Sequence, residues 1–353
     1  MAAATPTNSA PASATKVDVA IIGAGPIGLE CAILAKRAGL GHIVLDKGPI
    51  TAAIARYPTY MTFFTTSERL EVGGHPLVTA TDKPTRKEAL DYYRKVVAND
   101  ELNVRTYSRV LAIKRVAANK EGFEVAVEAA GASGFSGTVS AEVVMVATGY
   151  FDNPNPLGVP GEHLDHVSHY YTEAHPFFGR PVTLVGGGSS AADAALDLYR
   201  AGAKVTMVHR GEDFKPSLKY WIRPNLLNRI KEGSITALLN SRLKAIEQDH
   251  VVVRTPTGEQ RLRSDQVFAL TGYFAPPELL LAAGVRVDLE SCVAELDPET
   301  RESNVPGLYV VGSAGSGRRT SDVFIENGLV HAAAAMQAAV KRLAGGKRDL
   351  ATA

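Results

Sequence analysis

Hydrophobic positions form short continuous runs that end in glycine-rich turns, and one such arrangement occurs twice. An apolar run at 17–22 leads through the turn Gly-Ala-Gly-Pro-Ile-Gly at 23–28 into a stretch with helical spacing. The same order returns with an apolar run at 182–185 and the turn Gly-Gly-Gly-Ser-Ser-Ala at 186–191. A buried strand, a tight turn and a helix open a βαβ unit, so the pattern predicts two such units.

The remaining pattern predicts strands that alternate with helices. Further strands are predicted at 42–45, 104–116, 123–127, 143–147, 204–208, 267–270 and 308–311, and further helices at 85–99 and 326–343. This alternation favours parallel sheets covered by helices.

The chain is predicted to be an α/β protein in which one Rossmann-like domain is inserted in another. A Pro-rich stretch at 153–161 marks a boundary, after which the pattern restarts. Thr-Gly-Tyr closes a strand at 148–150 and again at 271–273, which indicates a shared plan. Because the last strand would complete the first sheet, we assign residues 1–15 to a disordered tail, 16–160 and 274–353 to the outer domain, and 161–273 to the inserted domain.

Composition narrows the function classes. Lys and Arg (38) nearly balance Asp and Glu (37), and the net charge of +1 gives no basis for binding nucleic acid or an anionic membrane. No apolar stretch reaches the roughly 20 residues that span a bilayer, and residues 1–15 lack the features of a targeting signal. Cys31 and Cys292 are the only cysteines, and no metal-type spacing occurs. We therefore expect a cytoplasmic protein without disulfides or metal, in which Cys31 is buried and structural.

The first glycine-rich turn predicts a dinucleotide site. Gly23 permits the tight turn, Gly25 lets a pyrophosphate approach the backbone, and Gly28 allows close packing of helix on strand. Amides at the helix N-terminus then face the anion. Asp46 ends the next strand at the spacing of the acid that binds a ribose. The predicted contacts are Gly23, Gly25, Pro26, Gly28, Asp46 and Lys47.

The second turn predicts a second dinucleotide by the same logic. The following strand ends in His209-Arg210, where a site specific for NAD would usually show an acid. Arg forms bidentate bonds to phosphate oxygens, which favours the 2′-phosphate of NADPH; an exposed surface cation is the alternative for Arg210. The predicted contacts are Gly186, Gly188, Ser189, Ser190, Ala191, His209 and Arg210.

Two dinucleotide sites in one chain are most simply explained by a flavin enzyme that a nicotinamide cofactor reduces. We therefore predict FAD and NADPH as cofactors, with Thr148, Gly149 and Gly312 as further flavin contacts. Gly312 and Ser313 stand where many flavoproteins have Gly-Asp beside the ribityl chain. His331, early in the last helix, is interpreted as a histidine packed within the helix, with contact to the flavin as the alternative.

These motifs resemble the thioredoxin reductase-like flavoproteins, and within that group the YpdA-type bacillithiol disulfide reductases. The resemblance extends over nearly the whole chain beyond the tail. The segments that carry the closer match are Tyr57-Pro58-Thr59, Thr62-Phe63-Phe64, Ser67-Glu68, Ala147-Thr148-Gly149-Tyr150, Val159-Pro160-Gly161-Glu162, His169-Tyr170 and Phe324-Ile325-Glu326-Asn327-Gly328.

The resemblance implies FAD in the outer domain, NADPH in the inserted domain and a homodimer. It adds Lys215 to the second site, where the thioredoxin reductase pattern repeats a base, and suggests that Thr62 and Phe63 face the flavin, with a packed loop as the alternative. The chain departs from the family in two places. It has no Cys-x-x-Cys, and Ile27 stands where YpdA-type members typically place a cysteine. No catalytic cysteine pair is therefore assigned.

The function expected from these observations is an NADPH-oxidising flavin reductase whose acceptor is a small molecule or a small protein. The resemblance favours a low-molecular-weight disulfide, whereas flavin chemistry alone also allows a ferredoxin, a flavodoxin or a quinone. A flavin monooxygenase-like activity and a non-catalytic redox sensor stay open. Rotation of the inserted domain, with hinges near 153–161 and 272–277, is expected from the resemblance.

Overall fold

A computed structural model of the protein describes residues 15–116, 122–215 and 218–349. The first part of the chain forms β1 (Thr15–Ile22), α1 (Pro26–Arg37), β2 (His42–Leu45), α2 (Ala52–Ala55), α3 (Arg86–Asn99), β3 (Val104–Arg105), β4 (Ser108–Arg115), β5 (Phe123–Ala129) and β6 (Gly137–Val146).

The middle of the chain is richer in strands than its hydrophobic pattern predicts. It forms β7 (Val167–Ser168), β8 (Pro181–Val185), α4 (Ser189–Arg200), β9 (Lys204–Val208), α5 (Arg223–Lys231), β10 (Ile235–Leu238), β11 (Arg242–Ile246), β12 (His250–Thr255), β13 (Gly258–Arg263) and β14 (Gln266–Ala269). The last part forms α6 (Glu278–Ala282), β15 (Leu308–Val310) and α7 (Ile325–Asp349).

The first sheet has the order β3-β2-β1-β6-β5-β4. β1, β2, β3 and β6 run parallel, and β4 and β5 continue the sheet as antiparallel strands. β15 joins in parallel the carboxyl half of β6, on the edge whose amino half carries β5. The end of the chain therefore completes the first sheet.

The second sheet lies between these two parts of the sequence. Its order is β10-β9-β8-β14-β7, and its strands are parallel. Since β15 returns to the first sheet afterwards, one Rossmann-like domain is inserted in the other, as the sequence predicts. The boundaries assigned above stay a prediction.

Small residues let two helices pack closely on the first sheet. α1 buries Cys31, Ala32 and Ala35, and α7 lies against it with Ala332 and Ala335 fully buried. Side chains without long branches allow the two backbones to approach each other. This packing fixes the start of α7 close to the glycine-rich turn that opens α1.

One predicted strand needs correction, and one sheet is absent from the prediction. The strand predicted at 104–116 is divided, because Tyr107 adopts a left-handed backbone (φ 52°) between β3 and β4, where the hydrophobic alternation gives no sign of a corner. The antiparallel sheet of β11, β12 and β13 was not predicted, since its last strand carries mostly polar residues. The predicted tail lies outside the described residues up to residue 14, and Thr15 begins β1.

Candidate functional site

Three turns meet at the carboxyl edge of the first sheet. A Cβ added to Gly23 would overlap the carbonyl oxygen of Ala147 and lie 3.2 Å from the Cα of Thr148. A Cβ added to Gly149 would lie 3.8 Å from the Oγ of Ser313. The turns after β1, β6 and β15 are therefore side by side, at the edge where open α/β sheets bind ligands.

The turn between β1 and α1 fits a dinucleotide pyrophosphate. A Cβ on Gly28 would overlap the carbonyl oxygen of Gly23, so this glycine is required for the helix to pack on the turn. A Cβ on Gly25 would meet nothing within 4 Å, which leaves open space in front of the helix. No side chain caps the N-terminus of α1 in the described structure, and Pro26 opens its first turn. The free amides and the helix dipole suit an anion.

Asp46 follows β2 and lies beside this turn. Its Oδ2 accepts a hydrogen bond from the backbone N–H of Ala24 (2.6 Å) and its Oδ1 one from Gly48 (2.8 Å). Burial raises the pKa of Asp46, and the two backbone donors oppose that rise. The carboxylate is thus held in place with lone pairs left for ribose hydroxyls. Lys47 points to a different partner, the carboxylate of Asp152 at 2.9 Å.

The two predicted flavin contacts in the loop after α2 lie in different environments. Phe63 is 6% exposed, belongs to the first core and has its ring centroid 6.1 Å from that of Tyr57. Thr62 forms an isolated bridge to Thr85, the N-cap residue of α3. This placement agrees with a packed loop and leaves a flavin contact of either residue as a prediction.

Ile27 joins the first turn to the end of the chain, a contact that sequence reasoning missed. A Cβ on Gly312 would lie 3.1 Å from the Ile27 side chain, and one on Gly328 would lie 2.8 Å from it. The isoleucine therefore fills the space between the turn after β15 and the first turn of α7. No spacing in the sequence signals this contact, because it arises from the packing of α7 on α1.

The second glycine-rich turn repeats the geometry of the first. A Cβ on Gly186 would overlap the carbonyl oxygen of Leu270, at the end of β14. Gly188 precedes α4, whose N-terminus no side chain caps in the described structure. The backbone N–H of Lys215 donates to the carbonyl oxygen of Gly187 (3.0 Å), so the chain after β9 folds back over this turn. Ala191 is fully buried under the turn.

The two sites differ at the residue that follows their second strand. Asp46 takes this position after β2, whereas His209 takes it after β9. The His209 ring is buried and stacks on Phe214 with centroids 6.0 Å apart, and burial, Lys215 and Arg210 lower its pKa. Arg210 and Lys215 are exposed. The second site thus has no carboxylate at the ribose position and two cations near it.

An aromatic and cationic contact joins the two domains outside the predicted contacts. Phe64, in the outer domain, lies 6.1 Å from Trp221 of the inserted domain, and Lys219 lies over both rings. Burial lowers the pKa of Lys219 to about 8 and raises that of Asp193 in α4 to about 6. The backbone N–H of Lys219 donates to the Oγ of Ser189 (3.3 Å), so this contact borders the second site.

Both cysteines are buried and free. Burial raises the pKa of the Cys31 thiol far above its ordinary value, which makes the thiol inert. The predicted burial of Cys31 is confirmed. No group of three or more metal-ligating side chains occurs among the residues that the structure describes.

Two Rossmann-like domains with paired dinucleotide turns define a flavin-dependent oxidoreductase that uses a nicotinamide nucleotide. A family model described as pyridine nucleotide-disulphide oxidoreductase matches residues 20–312. The chain belongs to this family. No helix in the described ranges has the length and apolar character needed to cross a membrane.

Relatives and solved structures agree with this membership. The bacilliredoxin reductase Bdr of Bacillus subtilis (strain 168) is 37% identical over 88% of this chain and 94% of its own length. The structure of the bacillithiol disulfide reductase Bdr (YpdA) from Bacillus cereus covers 93% of this chain and 100% of its own, with 36% identity and a TM-score of 0.88. Thioredoxin reductase from T. acidophilum shares the fold, at 22% identity and a TM-score of 0.72 over 93% of this chain and 98% of its own.

Proposed function

We propose that this protein is an NADPH-dependent reductase of a low-molecular-weight disulfide of the bacillithiol disulfide type. The single observation that supports the disulfide most is the similarity over nearly full length to the two Bdr proteins. The overall reaction balances as NADPH, a proton and one disulfide giving NADP⁺ and two thiols. FAD, when bound, supplies the two-electron chemistry that links the two half-reactions.

The chain's own residues bind and orient the reactants in this proposal. The amides at the start of α1 would hold the FAD pyrophosphate, Asp46 would bind the adenosine ribose, and the turns at Thr148-Gly149 and Gly312 would contact the rest of the cofactor. The amides at the start of α4 hold the NADPH pyrophosphate. Positioning of this kind lowers the activation free energy, because the entropy of bringing the reacting groups together is lost on binding and not in the chemical step.

No protein thiol takes part. Ile27 occupies the turn position where a cysteine would lie, and both cysteines of the sequence are buried. The described chain therefore offers no accessible thiol as an electron relay, and bound FAD would supply the redox chemistry. A screen of NADPH consumption with bacillithiol disulfide, a ferredoxin, a flavodoxin and a quinone tests the acceptor. We expect bacillithiol disulfide to support the oxidation of NADPH. Activity confined to a protein or quinone acceptor would refute the proposed disulfide acceptor.

NADPH is preferred because the second site has His209 and Arg210 where an acid would select NADH. We expect Arg210→Ala to raise the KM for NADPH about tenfold, the value of one lost charge-assisted bond to phosphate, and to leave the KM for NADH unchanged. Arg254→Ala, an exposed arginine on β12, is the matched control. Equal effects on both nucleotides would contradict this role.

We also propose a homodimer in a reducing cytoplasm. The free, buried state of both cysteines supports the compartment, and the family resemblance supports the dimer. Light scattering of the FAD-loaded protein should give twice the mass of the chain; a monomer over the whole concentration range would exclude the dimer.

A further inference from the structure

A cavity of about 280 Å³ lies beside the turn that follows β15. Its walls come from that turn, from α7 and from the chain before β15. Among the predicted flavin contacts, only Gly312 lines it. The polar residues on its walls are Arg301, Ser316, Arg319, Asp322, Asn327 and His331.

Arg301 brings a charge to this cavity that the described structure leaves without a counterion. Its Nε is buried without a hydrogen-bond partner, and no acid among the described residues pairs with its guanidinium. Burial lowers its pKa, with no neighbouring acid to oppose the shift. Its backbone is also left-handed (φ 62°). An unpaired, partly buried cation in a strained conformation costs folding free energy, which a ligand of opposite charge would offset.

His331 adds a second unsatisfied polar atom. It lies one turn after Asn327 on α7, and its Nδ1 is buried without a partner in the described structure. Burial and the charge of Arg301 lower its pKa, and a hydrogen bond to the backbone of Gly312 opposes that shift. A neutral imidazole has a single N–H to donate, and this one serves the Gly312 backbone. The cavity therefore offers the Arg301 guanidinium to a ligand, beside a histidine nitrogen that has no partner in the described structure.

The charges at the entrance limit the charge of that ligand. Arg319 and Asp322 line the cavity with exposed side chains of opposite sign, and Asn327 is occupied by hydrogen bonds to its own loop. Arg301 supplies the single excess positive charge. A carboxylate matches it in charge and in planar geometry, whereas a phosphate dianion would leave one negative charge facing Asp322.

We propose that this cavity is a subsite that binds a carboxylate group of the electron acceptor. This inference rests on the proposed function, because it assigns the acceptor to the disulfides that carry a carboxylate. Gly312 lies both at this cavity and at the predicted flavin site, so an acceptor anchored here has its disulfide near the cofactor. Arg301 is then a specificity residue for the acceptor.

Binding without turnover gives the first test. Succinate, titrated calorimetrically into FAD-loaded protein, is expected to bind at least tenfold more weakly to Arg301→Gln than to the natural protein, and to bind Arg301→Lys with intermediate affinity. Arg286→Gln, which removes an exposed arginine of the same segment, is the control and should bind normally. Equal affinity for inorganic phosphate would overturn the carboxylate assignment.

Turnover gives the second test. Dithiodipropionate, a dianionic disulfide, is compared with cystamine, a dicationic one, under NADPH. Arg301→Gln should raise the KM for dithiodipropionate about tenfold and leave that for cystamine unchanged. Equal effects on both disulfides would overturn the subsite. Loss of FAD from Arg301→Gln, read from its absorbance, would show instead that the cavity belongs to the flavin site.

The two tests separate this subsite from the proposed function. Binding of succinate that depends on Arg301, together with no reduction of any disulfide, would support the subsite and refute the proposed acceptor. Reduction of both disulfides by a protein that does not bind succinate would support the function and overturn the subsite.

Discussion

Single glycines decide whether the first dinucleotide site can form. Gly28 is buried at the start of α1, and its Cα faces the carbonyl oxygen of Gly23 so closely that no Cβ fits. The contact is between two backbones, which cannot move without separating α1 from β1. The close packing that the motif implies is thus a steric requirement at one residue.

Gly28→Ala tests this requirement. We expect a loss of about 1–3 kcal/mol in the free energy of unfolding, as for an overpacked core, together with weaker retention of FAD. Chemical denaturation and the ratio of flavin to protein absorbance measure the two effects. Gly345→Ala is the matched control, because a Cβ there meets nothing within 4 Å and a helical alanine is favourable. A variant that keeps both its stability and its flavin would contradict the steric account.

At the scale of elements, a buried glutamate organises the first connection between the domains. Glu162 is 8% exposed, accepts backbone hydrogen bonds from Leu157 (2.6 Å) and Gly158 (2.8 Å), and lies 3.2 Å from the ring of His169. Burial alone would raise its pKa, but these donors and the nearby histidines outweigh it and lower the pKa. A single carboxylate thus fixes the turn at a predicted hinge.

Glu162→Gln should destabilise the protein by about 1–3 kcal/mol, because one backbone donor loses its acceptor. The direction of the pH dependence of this stabilisation follows from the lowered pKa of Glu162. The stabilisation is present above the unfolded pKa near 4.5 and is lost as the pH falls through the lower folded value.

Denaturation should therefore be measured at pH 7 and below pH 4. The free energy of unfolding of Glu162→Gln should approach that of the natural protein at the acidic pH. Glu247→Gln, which removes an exposed ion pair with Arg261, is the control and should cost at most about 1 kcal/mol. A cost of Glu162→Gln that does not depend on pH would refute the ionic role.

At the scale of the whole molecule, aromatic contacts hold the two domains in one arrangement. Phe64 of the outer domain lies against Trp221 of the inserted domain, and Phe151 stacks near Tyr273 with centroids 4.5 Å apart where the two connections meet. Rotation of the inserted domain, as expected from the resemblance, would break the first contact and twist the second.

The fluorescence of Trp221, the single tryptophan, can report on this arrangement through the charge of Lys219. Lys219 is protonated below about pH 8 and then lies over the Trp221 ring at 5.3 Å, so the fluorescence of Trp221 should titrate with a midpoint near pH 8. Lys219→Met should abolish this titration, whereas Lys204→Met, an exposed lysine on β9, should preserve it.

The free energy of unfolding should also depend on the protonation of Lys219. Because folding lowers the pKa of Lys219 from 10.5 to about 8, the unfolded chain binds more protons between these values. The free energy of unfolding should therefore gain a contribution that rises with pH from about 8 to 10.5. A fluorescence midpoint above pH 10 in the natural protein would exclude a lowered pKa of Lys219.

Features that depend on local order along the chain could be predicted from the amino-acid sequence alone. A strand, its turn and its helix are neighbours in sequence, so Gly23, Gly28 and the position of Asp46 could be predicted from spacing. The absence of an acid after β9 is equally local, and it appears in the structure as His209. The inserted topology followed from the return of a strand pattern near the end of the chain.

Which distant segments meet became visible only in the folded protein. Ile27 contacts Gly312 and Gly328, Arg301 shares a cavity with His331, and Phe64 lies on Trp221. None of these pairs has a spacing that a helix or strand would impose, because the contacts arise from how sheets and domains pack. The dinucleotide turns are therefore encoded locally, whereas the surroundings that select an acceptor exist only after the whole chain has folded.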